Sequence, residues 1–137
     1  MNKHAYLRAY LAGIAVPTVF LMVIMTFYSV LRYAYGFPVP VERVIVFPMA
    51  VVPNIWGLWN ILYLALRSRR HLPLGLHGAI LPFLLAPAGY LVTRLLDFAI
   101  PSHVVAGFPF VFPIGLALYY LAWKYLVGFL NAELGIA

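Results

Sequence analysis

Cysteine is absent from the 137 residues, which removes disulfide frameworks, thiolate metal sites, iron–sulfur clusters and cysteine nucleophiles together. Carboxylates are nearly absent as well: Glu42, Asp97 and Glu133 are the whole supply. A paired-carboxylate mechanism of the glycosidase kind is therefore poorly provided for. No H-E-x-x-H, G-x-S-x-G or phosphate-binding glycine motif occurs. Charged residues of both signs make up only 9% of the chain, against about 25% in a soluble domain.

What fills the chain instead is apolar. Hydrophobic residues are 66% of it and the mean hydropathy is +1.00, where soluble domains hold roughly 45–50% apolar residues. A soluble domain of about 150 residues buries only ~70% of its unfolded surface, too little to hide so many apolar side chains. Lipid is the solvent such a chain calls for. A spanning helix needs about 20 mainly apolar residues, and four stretches qualify: residues 9–31, 44–66, 72–93 and 104–130. The expected fold is all-α, a single polytopic domain of four transmembrane helices with short links and antiparallel neighbours. The links contain Gly36, Pro38 and Pro40, then Arg67–His71, then Pro101.

Lys3 and Arg8 precede the first span as they would in a signal peptide. Its apolar run of about 23 residues exceeds the usual 7–15, and no A-x-A-like site follows, so a retained helix is expected. The net charge of +6 sits at the ends of the apolar runs, where it reads as topology and headgroup contact, not nucleic-acid binding. Lys3, Arg8, Arg67, Arg69, Arg70 and Lys124 fall on one side; Arg32, Arg43 and Arg94 fall on the other. The positive-inside rule then places both termini in the cytoplasm.

Each span contains proline: Pro17, then Pro48 and Pro53, then Pro82 and Pro87, then Pro109 and Pro113. An interior proline removes a backbone hydrogen bond and kinks a helix. Pro53, Pro87 and Pro113 are expected at similar depth in the outer half, where shared kinks would open a vestibule; ordinary bundle packing is the alternative. Residues 81–89 and 108–115 also echo one another faintly, as internal repeats or chance would have them.

Polar groups inside apolar runs are costly unless bonded. Trp56, Trp59, Asn60, Tyr63 and Arg67 share one face of the second helix, and Asn54 lies opposite. His77 sits among small residues in Gly75-Leu76-His77-Gly78-Ala79, at the depth of Asn60 and Lys124. Imidazole there can join the bundle's hydrogen bonds, handle a proton or anion, or ligate a tetrapyrrole. No cofactor is required by the sequence, and no metal site is expected. Lys124 shares a stripe with Tyr120, Trp123, Val127 and Asn131; it either snorkels to the headgroups or turns inward to complete a cationic layer with Asn60 and His77.

Two functions suit these features. One is a small transporter or channel for an anionic, neutral or lipid-like solute, lined by Asn54, Trp56, Trp59, Asn60, His77, Tyr120 and Lys124. The other is a non-catalytic membrane subunit of a larger respiratory, photosynthetic or transport assembly, docking through Ala9-x-x-x-Gly13 and Gly75-x-x-x-Ala79. An enzyme is least supported, because no serine or threonine in a span has a histidine at i±3 or i±4. The expected partners are the bilayer together with further copies of the chain or other membrane subunits, and no nucleic acid.

Overall fold

A computed structural model describes residues 3–39 and 41–136, apart from the side chains of residues 43, 44 and 46. Pro40 and the Arg43 side chain, both used above, lie outside that description. Every element among the described residues is helical: α1 Ala5–Tyr33, α2 Val41–Val44, a π-helical stretch Ile45–Met49, α3 Val52–Leu66, α4 Leu74–Leu95, α5 Ser102–Leu121, a second π-helical stretch Ala122–Val127, and α6 Gly128–Glu133. Ala5–Tyr33, Phe47–Leu66, Leu74–Leu95 and Ser102–Glu133 are each long and apolar enough to cross a membrane. The count and order match the four apolar runs.

The bundle is built from two close helix pairs. In the first, α1 lies on α3 with backbones nearly touching: a Cβ on Gly13 would stand 2.5 Å from the Trp56 carbonyl oxygen and 2.8 Å from the Gly57 Cα. Gly57 receives the Tyr10 ring in return. In the second, α4 lies against α5 and the π stretch that follows it. A Cβ on Gly75 would meet the Tyr120 ring at 2.8 Å, and one on Gly78 would overlap Trp123 at 1.9 Å. Both small-residue motifs are thus consumed inside the chain. The α4 face expected to dock a partner is already covered by Tyr120 and Trp123.

Trp56, Leu81, Leu85, Trp123 and Val127 form the main core, and Ala9, Ala12 and Ile136 a smaller one. By contrast, α5 buries no residue. The fourth long segment is held by Trp123, Val127 and Asn131, which follow α5. Arg8 donates to the Leu134 carbonyl at 3.4 Å and Arg67 to that of Ile136, so the N-terminal, α3–α4 and C-terminal segments meet at one end.

The prolines behave differently from one another. Pro53 stands in the first turn of α3, inside the longer apolar helix Phe47–Leu66, and its missing N–H leaves the Met49 carbonyl without its α-helical donor. Pro48 is inside the first π stretch. The second apolar run is irregular at Ala50–Val51, between Met49 and Pro53, before α3 restarts. Pro87 and Pro113 lie within α4 and α5.

Candidate functional site

The seam between the two helix pairs is closed by a polar and aromatic layer near the arginine-rich end. Asn60 on α3 is 1% exposed and Asn131 on α6 is 3% exposed. Asn60 Nδ2 donates to the Ala9 carbonyl at 2.7 Å and to Asn131 Oδ1 at 2.8 Å, and Asn131 Nδ2 returns a bond to Asn60 Oδ1 at 3.2 Å. Two amides face to face satisfy each other because each carries both donor and acceptor. Three helices that share no sequence neighbourhood are tied at one point.

Beside them, Trp59 and His77 make a second reciprocal link, between α3 and α4. The Trp59 indole donates to the His77 carbonyl at 2.7 Å, and His77 Nε2 lies 2.8 Å from the Trp59 carbonyl. A carbonyl only accepts, so Nε2 carries the hydrogen and Nδ1 is left as an acceptor. The rings stack at 4.8 Å with 23° between their planes. Tyr63 and Trp123 enclose the imidazole, at 5.3 and 5.9 Å between centroids. Trp56 packs on Tyr119 and Trp123, and its indole reaches the Tyr119 hydroxyl at 3.4 Å. The buried Trp123 Nε1 has no partner among the described residues.

Two half-open grooves flank this layer, one toward each end of the α3–α4 seam. The first, of about 160 Å³, is lined by Trp59, Leu62, Tyr63, His77 and Ile80 and bordered by Arg67 and Arg70. The second, of about 280 Å³, lies at the other end among Phe47, Pro48, Gly89, Val92 and Thr93. It neighbours Pro48 rather than the Pro53–Pro87–Pro113 layer proposed for a vestibule.

Of the residues singled out in the sequence, Trp56, Trp59, Asn60 and His77 come together. Asn54 does not join them: it is exposed, donates to the Ala50 carbonyl at 2.8 Å and accepts from the Tyr10 hydroxyl, linking α3 to α1. Tyr120 covers Gly75. Lys124 is exposed, its ammonium 5.7 Å from the Tyr120 ring and 5.3 Å from the Tyr125 ring. It completes no cationic layer with Asn60 and His77. The second π stretch directs Trp123 and Val127 inward and leaves Lys124 outside. Asn131 is the functional partner that the sequence reading placed on the stripe but did not single out. Among the described residues, no three His, Asp or Glu side chains converge on a metal position.

In comparisons with known proteins, no family model, curated protein or solved structure matches this chain.

Proposed function

We propose that the chain is an integral membrane protein acting as a non-catalytic subunit, docking through α5 to another membrane chain. The observation that carries this reading is the open face of α5. None of its twenty residues is fully buried, and a Cβ at Gly107 or Gly115 would meet no atom within 4 Å. Glycine inside a helix costs about 1 kcal/mol relative to alanine, and membrane helices use it where another backbone comes close. Gly13 has a backbone against it, and Gly57, Gly75 and Gly78 have aromatic rings against them; Gly107 and Gly115 have nothing within 4 Å of an added Cβ. The internal bonding of Asn60, Asn131 and His77 supports the same reading, since those groups are engaged in holding helices together.

The test is co-purification from the native membrane. Gly107→Leu with Gly115→Leu should release the partner while the chain itself stays inserted and monodisperse. Retention of the whole assembly by the double variant would overturn the proposal.

A second reading, transport of a small anionic or lipid-like solute, draws on the two grooves at opposite ends of one seam. The Trp59–His77 link would then be the barrier between them. Proteoliposome flux that is lost in His77→Leu and Asn60→Leu, with insertion intact, would favour it over the subunit reading.

A further inference from the structure

The groove at the arginine-rich end pairs two surfaces that rarely meet by accident. Its lining is apolar and aromatic, from Trp59, Leu62 and Ile80, and Arg67 and Arg70 also border it. That end of the molecule also holds Lys3, Arg8, Arg69 and Lys124, six cations with Arg67 and Arg70, against the single carboxylate Glu133. None of Arg67, Arg69 and Arg70 is in an ion pair among the described residues. Arg67 spends one donor on the Ile136 carbonyl, which fixes the direction of its side chain and leaves the rest of its fork of donors free.

We infer that this groove binds an anionic phospholipid, with the phosphate on Arg70 and Arg67 and a stretch of one acyl chain laid over Trp59, Leu62 and Ile80. Guanidinium recognises phosphate through paired N–H donors, which an ammonium cannot match. Basic pockets between membrane helices on the positively charged side are suited to anionic headgroups. The size agrees. A cavity of about 150 Å³ accommodates a benzene ring, so about 160 Å³ takes roughly six carbons of a chain and leaves the remainder in the bilayer. The inference rests on the membrane reading above but not on the docking partner.

Carbonate extraction of native membranes comes first: release into the soluble fraction would remove the membrane reading itself. With the chain retained, the purified full-length protein is given phosphatidylglycerol or phosphatidylcholine of identical chains, and bound lipid is counted by native mass spectrometry. Phosphatidylglycerol should be retained in preference. Arg70→Gln, in an exposed loop, should weaken it about fivefold, whereas Arg94→Gln at the opposite end should change nothing. Ile80→Trp should exclude both lipids. Equal retention of the two lipids, or an Arg70→Gln variant that binds like the parent, would overturn the inference. So would displacement of the lipid by millimolar inorganic phosphate, which would make the rim a site for free anions.

Discussion

Asn60 makes three hydrogen bonds, two of them with Asn131, so the two residues are expected to depend on one another. Asn131→Leu leaves Asn60 Oδ1 buried without a donor, and Asn60→Leu strands the Asn131 amide. Each single change should cost about 1–2 kcal/mol. The double change should cost less than the sum, because neither residue then leaves an unpaired partner. Denaturant unfolding in detergent, run as a double-mutant cycle, checks this; strict additivity would show that the amides act separately. At the same scale, His77→Phe keeps a ring against Trp59 but loses the Nε2–H bond to the Trp59 carbonyl. A loss of about 1 kcal/mol with an altered tryptophan emission spectrum is expected. Of this layer, Asn60, His77 and Trp59 were legible in the sequence because each is a polar or amphipathic group inside an apolar run. Their pairing was not, since Asn131 stands 71 residues from Asn60 and helical periodicity reports faces, not which face meets which.

Among the elements, glycines divide by what stands opposite them. Gly78→Ala puts a Cβ into the Trp123 ring at 1.9 Å, an overlap relieved only by moving α4 off the second π stretch. A loss of about 3 kcal/mol or more is expected. Gly107→Ala meets open space and should stabilise the isolated chain by about 0.5–1 kcal/mol through helix propensity. Parallel unfolding of the two variants in detergent distinguishes these signs. The link between α1 and α2 is held by Arg32 and Glu42, 2.5 Å apart. The Glu42 carboxyl lies below the ordinary carboxylate value, first through its own backbone N–H and then through Arg32. A depressed carboxylate contributes when ionised, so the contribution is present above its unfolded pKa and fades as pH falls through the folded one. The Arg32 side chain is 34% exposed and that of Glu42 66%, and the effect is local: protease cleavage between residues 34 and 40 should rise below that range, and Glu42→Gln should raise it at neutral pH. The helices themselves were legible as apolar runs of spanning length. The two π stretches were not, because each adds a residue to the turn and shifts every later side chain around the axis.

For the molecule as a whole, we propose that the end carrying six of the nine Lys and Arg side chains faces the cytoplasm. The lack of cysteine makes the proposal directly testable: His4→Cys and Ser102→Cys each introduce the sole thiol. With both termini inside, an impermeant maleimide applied to intact cells should label Ser102→Cys alone, and the reverse pattern would invert the topology. Composition made the four long apolar helices legible, since so many apolar residues arranged in runs of about 20 suit helices of spanning length. The arrangement in two close pairs, α1 with α3 and α4 with α5, was not legible. It depends on which glycines receive which rings, and Gly13 and Gly75 look alike until Trp56 and Tyr120 are seen against them.

The amide pair also sets an order of events during synthesis. Once α3 is made, Asn60 can already reach the Ala9 carbonyl, and Gly13 can already seat against Trp56 and Gly57. Its carbonyl oxygen has to wait for Asn131, 71 residues later, which at about 5–20 residues per second is roughly 4–14 s of translation. For that interval the first helix pair holds an unmet acceptor. Arrival of α6 then acts as a latch, so the last segment made is the one that completes the seam between the first pair of helices and the rest of the chain.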